Sequence, residues 1–314
     1  MNLRYTILAA SVACALQSSA QSVPTHEMYV DFGYVGLEKM MNVLPTWEPG
    51  KASGMASDKG DAYTDDNFFI SRVPLKDRFS RPSQQANKDL VAGENAKNLC
   101  WWAPIGELTK KWGPLPRWNF DGDNFNMWQY INIHGNWSNS WWRVPGSFND
   151  VAHKNGVRTG CLLFIDWGAS VTNTEGNIGK YLFQLSSKSG GKYKYAEKFV
   201  EYLRYYGIDG IGFNPEGTWQ GSLQTQVKGF LAECHRVAEE KGWPFHVDWY
   251  AFVNNSGRLT DSGSALTSDC NTWFMEESTG TPVTDVYMLN YNWSEAGLKT
   301  SVETAQAAGG NTFD

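Results

Sequence analysis

The sequence is poor in the residues that build metal centres and disulfide frameworks. It contains 5 cysteines and 5 histidines in 314 residues. No pair of them stands at the spacing of a metal-ligand motif, and the cysteine spacings do not select a disulfide pairing. We therefore expect neither a metal nor another cofactor, and we expect the cysteines of the main domain to be buried thiols.

Clustered positive charge and long apolar runs are also absent. The 27 basic residues are scattered among 33 acidic ones, for a net charge of −6. This distribution disfavours a nucleic-acid partner. After residue 20, no segment is apolar enough to cross a bilayer. We expect a monomer without a membrane span.

The first 20 residues have the pattern of a secretory signal peptide. Arg4 is followed by an apolar run from Ile7 to Leu16 and by small residues that end at Ala20. The pattern predicts export, to the cell surface, the periplasm or the medium. Lipid acylation at Cys14 is the alternative to simple cleavage.

Aromatic residues are abundant, with 15 Trp, 14 Tyr and 16 Phe. A tryptophan-rich core and a carbohydrate-binding surface explain this content about equally well, because indole rings stabilise cores and also stack on sugar faces. For any single tryptophan, the core is the better interpretation.

The order of apolar segments predicts an α/β fold. Residues 21–98 are interpreted as an irregular N-terminal extension, whereas from residue 99 to 314 strand-like runs alternate with helix-like runs, as in a parallel sheet. The predicted strands are 100–104, 128–134, 158–167, 210–214, 245–253, 270–275 and 285–291. The predicted helices are 147–155, 193–206, 224–241 and 294–308. The segment between Trp167 and Tyr193 is predicted to be a loop.

These elements favour a (β/α)8 TIM barrel that is truncated before or within its last strand. Seven strands are predicted, and the residues from 99 to 314 are fewer than the ~250 that a complete barrel usually occupies. The barrel is expected to carry its active site at the carboxyl ends of its strands.

The octapeptide 209–216, Asp-Gly-Ile-Gly-Phe-Asn-Pro-Glu, is the most informative motif. It follows an amphipathic helix that closes on Gly207, and it is predicted to be a buried strand. Residues two apart in a strand point to one side, so Asn214 and Glu216 should project together. A carboxamide beside a carboxylic acid suits cleavage of a glycoside whose own acetamido group attacks the anomeric carbon. In the alternative interpretation, Asn214 caps a turn and Glu216 is a solvated carboxylate.

The octapeptide resembles the signature Asp-Gly-x-Asp-x-Asp-x-Glu of glycoside hydrolase family 18, with Gly212 and Asn214 replacing two aspartates. The Asn-x-Glu version resembles glycoside hydrolase family 85, the endo-β-N-acetylglucosaminidases. Further segments are similar to that family in the expected order. These segments are 128–133 (Trp-Gln-Tyr-Ile-Asn-Ile), 155–158 (Asn-Gly-Val-Arg), 163–167 (Leu-Phe-Ile-Asp-Trp), 249–250 (Trp-Tyr) and 289–293 (Leu-Asn-Tyr-Asn-Trp).

The resemblance implies a retaining, substrate-assisted hydrolysis of the chitobiose core of N-linked glycans or glycoproteins. It implies that Asn214 orients the acetamide, that Glu216 is the general acid/base and that Tyr250 donates a hydrogen bond near the reacting group. It also implies a set of substrate-binding residues, which are Asp166, Trp167, Trp249, Asn290 and Trp293. Eukaryotic members of the family are cytosolic, but the N-terminal segment of this chain favours export.

Two alternatives to this enzyme stay open on the sequence. The first is a catalytically inactive glycan-binding barrel or a truncated fragment, because the same aromatic residues would serve both. The second is a chitinase-like enzyme, which is disfavoured because a chitinase usually has aspartates where Gly212 and Asn214 stand.

Overall fold

The structure of the chain is a computed structural model. It describes residues 36–51, 69–77, 100–103, 125, 127–137, 144, 146–250, 253–259, 265–270, 275–276 and 281–307. The predicted signal peptide with Cys14 lies outside these residues, so export and acylation stay predictions. Among the helices of the described ranges, none combines the length and apolar character needed to cross a bilayer.

A six-stranded parallel sheet forms the centre of the fold. Its strands, in spatial order, are β1 (Cys100–Ala103), β2 (Ile133–Asn136), β3 (Arg158–Val171), β6 (Gly210–Trp219), β7 (His246–Tyr250) and β10 (Val286–Met288). Two short antiparallel hairpins lie outside it, made of β4 (Lys188–Ser189) with β5 (Lys192–Tyr193) and of β8 (Met275–Glu276) with β9 (Thr281–Pro282).

Six α-helices accompany the strands in the part of the chain that the structure describes. They are α1 (Leu37–Val43), α2 (Gly146–Lys154), α3 (Ile178–Leu185), α4 (Ala196–Tyr206), α5 (Gly221–Glu240) and α6 (Glu295–Ala307). Local signals fix their ends. The Asn177 side chain accepts a hydrogen bond from the Gly179 amide and so caps α3. The helix α4 ends at Gly207, whose φ of 73° is a left-handed conformation that glycine adopts without strain.

The hydrophobic core lies between the sheet and the helices. Alternate strand residues point outward into it, among them Leu163, Phe213 and Trp249. The rings of Phe199 on α4 and Phe230 on α5 contact edge to face, with centroids 5.5 Å apart. Because this face is covered by helices, the opposite face of the strands is the interior of the barrel.

The sheet is curled, as one hydrogen bond across its interior demonstrates. Four strand-to-strand steps separate β1 from β7, which is roughly 19 Å in a flat sheet at about 4.8 Å per step. Yet Trp102 Nε1 on β1 donates a hydrogen bond to Asp248 Oδ2 on β7 over 2.7 Å. The sheet therefore curls into part of a barrel, which confirms the predicted α/β barrel class.

Several predicted elements are wrong in detail. Residues 128–130 form a 3-10 helix, and β2 begins only at Ile133. Cys270 lies in a turn rather than in a strand of the sheet, and Met275 belongs to the β8–β9 hairpin. The predicted loop after Trp167 contains the end of β3, the helix α3 and the β4–β5 hairpin.

The N-terminal region predicted as irregular contains the helix α1. Leu37 and Met40 of this helix are buried. Trp47, just beyond α1, contacts Tyr202 of α4 edge to face at 5.0 Å between ring centroids. This part of the extension packs on the barrel because the apolar residues of α1 recur at helical spacing and face α3, while Trp47 packs on α4.

Candidate active site

Asn214 and Glu216 lie side by side on the interior face of β6. Asn214 Nδ2 donates a hydrogen bond to Glu216 Oε2 over 2.8 Å. Asn214 is 2 % exposed, whereas Glu216 is half-buried. Pairing of β6 with β7 stops at Phe213, so both side chains lie at the carboxyl rim of the barrel. The prediction that they project together is therefore correct, although β6 itself continues to Trp219.

The carboxamide oxygen of Asn214 is buried and accepts no hydrogen bond from the described residues. Because Oε2 of Glu216 accepts this hydrogen bond, the amide is fixed with its nitrogen toward the acid and its oxygen away from it. A buried acceptor without a partner costs about 1–3 kcal/mol. This orientation leaves the oxygen available for an N–H donor from a ligand.

A bulge in β3 faces Glu216. The register pairs Ile165 with Pro215 and then Ala169 with Gly217. Three residues of β3 (166–168) therefore lie opposite one residue of β6, Glu216. Gly168 has a φ of 74°, a backbone conformation that favours glycine. Bulges next to active sites re-aim side chains, and here the bulge exposes both Asp166 and Trp167 beside the acid.

Tyr250 is the third predicted catalytic residue, and it lies at the end of β7. Its hydroxyl donates a hydrogen bond to Asn290 Oδ1 over 3.1 Å. Burial raises the pKa of Tyr250, and the neighbouring Tyr291 and Glu216 raise it further. The phenol therefore stays protonated as a donor, and it is close enough to Glu216 for their charges to interact. The contact also brings the predicted Asn290 into the site.

Aromatic side chains surround this rim. The ring of Trp137 contacts Tyr250 edge to face at 6.0 Å between centroids. Trp293 and Trp167 are each 57 % exposed, and Tyr291 is 89 % exposed. Exposed rings of this size at the carboxyl ends of barrel strands offer flat apolar surfaces on which a ligand can stack. The sequence analysis did not select Trp137 or Tyr291, although Tyr291 stands within a segment that resembles the family.

Trp249 does not belong to the site, and its predicted substrate-binding role is wrong. It is completely buried on the helix side of the sheet. Its ring lies 5.2 Å from Phe213 and 5.9 Å from Trp219, measured between centroids. Neighbouring strand residues point to opposite faces, so Tyr250 can face the interior only if Trp249 faces the core.

Asp209, the first residue of the octapeptide, lies at the opposite end of the strand. Its Oδ2 accepts hydrogen bonds from His153 Nε2 over 2.9 Å and from the Thr159 amide over 2.7 Å. Burial alone would lower the pKa of His153, but the bond to Asp209 and its charge raise it above the ordinary value. This aspartate therefore joins strands and a helix far from the rim.

A buried polar group that the sequence analysis missed lies below the rim. His246 and Asp248 are both completely buried, and they stand four and two residues before Tyr250 on β7. Their alternation with apolar residues placed them on the same face as Tyr250, and this spacing was the signal that could have identified them. Trp102 completes the group through its bond to Asp248.

Comparison with known proteins identifies the family. The model of glycosyl hydrolase family 85 matches residues 111–314. Among solved structures, the glycoside hydrolase domain of Endo-D from Streptococcus pneumoniae R6 is similar in fold, with a TM-score of 0.66 at 22% identity. The match covers 85% of this chain and 39% of that one. A comparison with curated proteins gives no match. The family match covers most of the chain, which therefore belongs to glycosyl hydrolase family 85.

Proposed function

We propose that the protein is an endo-β-N-acetylglucosaminidase that cleaves the GlcNAc-β-1,4-GlcNAc core of N-linked glycans. The observation that carries this proposal is the Asn214–Glu216 pair, in which a buried amide oxygen has no partner among the described residues. A second carboxylate would be expected in a glycosidase that uses two acids. A carboxamide fits a reaction in which the substrate supplies its own nucleophile.

In the first step the 2-acetamido oxygen of the substrate attacks its own anomeric carbon. The glycosidic bond breaks, and Glu216 gives its proton to the departing oxygen of the second N-acetylglucosamine. Asn214 Oδ1 accepts the acetamide N–H and stabilises the positive charge that develops on that nitrogen. The product of the step is an oxazolinium ion that keeps its N–H proton, formed by a nucleophile held within the same molecule.

In the second step water opens the oxazolinium ion. Glu216, now a carboxylate, takes one proton from the water as its oxygen bonds to the anomeric carbon. The bond from the acetamido oxygen to that carbon breaks, and the acetamide is restored. Because the carbon is attacked once on each side, the released glycan keeps the β configuration.

The other side chains of the rim support this reaction. The Tyr250 hydroxyl, which burial keeps protonated, supplies a donor near the intermediate. Trp167, Trp293 and Tyr291 offer exposed rings on which the sugars of the glycan stack. Asp166, exposed on the bulge opposite Glu216, supplies a carboxylate that accepts hydrogen bonds from sugar hydroxyls.

Mass spectrometry of a high-mannose glycopeptide, incubated with the chain or with Glu216→Gln, tests this function. We expect the wild type to leave one N-acetylglucosamine on the asparagine and to release the rest of the glycan. Loss of the general acid should slow this reaction by about 10²–10⁴-fold. Cleavage of chitin oligomers in preference to the glycopeptide would favour a chitinase. Binding of the glycopeptide without cleavage would favour the glycan-binding barrel.

A further inference from the structure

Three of the five residues in one row of the sheet are glycine. In register across five strands lie Trp102, Gly135, Gly160, Gly210 and His246. All five face the interior, because they stand an even number of residues before the rim residues of the same strands. The three glycines leave the interior above them free of side chains from β2, β3 and β6.

The indole ring of Trp102 fills this space. A Cβ atom added to Gly135 would lie 2.1 Å from the ring, and one added to Gly160 would lie 2.8 Å from it. The ring also covers Gly212, where an added Cβ would lie 2.7 Å away. Gly212 stands two residues before Asn214 on the same face, about 7 Å along the strand. The indole ring of Trp102 therefore lies directly below Asn214 and Glu216 in the barrel interior.

Asp248 and His246 hold this ring. Asp248 Oδ2 accepts the indole N–H over 2.7 Å, and Asp248 Oδ1 lies 3.0 Å from His246 Nδ1. His246 Nε2 lies 3.0 Å from the carbonyl oxygen of Thr159. Both ring nitrogens thus face acceptors, and a neutral imidazole has only one N–H. The bonds are all satisfied if His246 carries two protons and Asp248 is a carboxylate.

We propose that a charged His246–Asp248 pair is the positioning device of this site. The pair anchors Trp102, and Trp102 in turn sets the place of Trp137, whose ring lies 6.2 Å away between centroids. Trp137 contacts Tyr250 at 6.0 Å. Trp102, His246 and Asp248 do not touch the reacting atoms in the proposed mechanism.

The charge arrangement around the pair is compatible with an imidazolium. His235 of α5 and Asp285 are the titratable groups that lie behind β7, with 3.4 Å between His235 Nε2 and Asp285 Oδ2. Burial lowers the pKa of His235, and the charge of Asp285 and a bond to the backbone of Val283 oppose this shift without reversing it. His235 is therefore neutral and adds no second positive charge, and Asp248 is the carboxylate that directly balances the charge of His246.

Nitrogen-15 NMR of the histidine rings tests the charge without any need for activity. At pH 7 we expect both ring nitrogens of His246 to be protonated in the wild type. In Asp248→Asn the introduced amide can still accept from Trp102 and donate to His246 Nδ1, so the ring should become neutral without losing a partner. One unprotonated ring nitrogen in the wild type would overturn the charged pair.

The positioning role is tested with Trp102→Phe, which keeps a ring above the glycines and removes the N–H. We expect the indole N–H resonance of Trp137 to shift, and kcat on the glycopeptide to fall about 10-fold with KM within about twofold, because misplacement of a site by a fraction of an ångström costs rate rather than binding. An unmoved Trp137 resonance, or an unchanged kcat in an active enzyme, would overturn the role.

Asp209→Asn is the matched control, since Asp209 is another buried aspartate bonded to a histidine, at the end of β6 opposite the rim. It should reduce the stability of the fold without changing kcat of the folded enzyme or the Trp137 resonance. The kinetic part rests on the proposed function. If the wild type cleaves no glycan, that function fails, and the two NMR measurements alone decide on the positioning device.

Discussion

Replacing Asn214 by alanine should remove activity while leaving stability almost unchanged. The Nδ2 donor of Asn214 is bonded to Glu216 over 2.8 Å, and a typical intramolecular hydrogen bond stabilises a fold by about 0.5–1.5 kcal/mol. The buried Oδ1 atom has no partner among the described residues, and such an atom costs about 1–3 kcal/mol. The two contributions nearly cancel, so the free energy of unfolding should change by less than about 1 kcal/mol.

The loss of activity should be much larger. In the proposed reaction Asn214 Oδ1 meets its donor, the acetamide N–H, as positive charge develops on the acetamide nitrogen. Removing one group aimed at developing charge costs about 10²–10³-fold in kcat. We therefore expect Asn214→Ala to lose at least 10²-fold on the glycopeptide.

Quantitative mass spectrometry of glycopeptide cleavage and urea unfolding followed by tryptophan fluorescence measure the two effects. Asn149→Ala is the matched control, because Asn149 is a buried asparagine whose Nδ2 donates to the Tyr206 carbonyl over 3.2 Å and whose Oδ1 also lacks a partner among the described residues. Asn149 lies on α2, and the kcat of Asn149→Ala should equal that of the wild type. Asn214→Ala with kcat within about threefold of the wild type would refute the reasoning.

Three further predictions concern the bulge, the rim and a buried histidine. Gly168→Ala should raise KM about 5-fold, because a side chain at φ 74° costs about 1 kcal/mol and displaces the bulge. Gly176→Ala is the control, because Gly176 has a φ of 75° and a Cβ added there, as at Gly168, would meet no atom within 4 Å; it should leave KM unchanged. Trp293→Ala should raise KM about 10-fold without destabilising the fold, whereas Trp249→Ala should destabilise the fold by about 3–5 kcal/mol. Equal effects of the two substitutions would contradict the conclusion that Trp293 is exposed at the rim and Trp249 is buried in the core. Burial lowers the pKa of His134 from 6.5 to about 4, so the ring is neutral in the folded protein. The stability that this neutral ring contributes is present above pH 6.5 and is lost as pH falls toward 4. His134→Leu should remove about 3 kcal/mol of this acid dependence of the free energy of unfolding.

The barrel class and the reactive pair were predictable because local patterns encode them. Alternation of apolar strands with amphipathic helices determines a parallel α/β sheet. Gly207 marks the end of α4, and the period of two along β6 places Asn214 beside Glu216. These inferences need no knowledge of distant contacts.

What the sequence did not predict depends on tertiary contacts. Trp249 and Tyr250 are neighbours with similar aromatic character, and only the register of β7 decides which one faces the core. The bulge at 166–168 changes the pairing of β3 with β6 without a strong local signal other than Gly168. The bond from Trp102 to Asp248 joins residues 146 positions apart, and it exists because the sheet curls.

A series of substrates with decreasing acetamide nucleophilicity tests the substrate-assisted mechanism most directly. The substrates are chitobiose-core glycosides whose reacting sugar carries an acetyl, monofluoroacetyl, difluoroacetyl or trifluoroacetyl group on its nitrogen. If the acetamido oxygen attacks the anomeric carbon while Asn214 holds its N–H, kcat should fall steeply with each added fluorine. Rates that stay level across the series would show that the substrate does not supply the nucleophile, and would contradict the role assigned to Asn214.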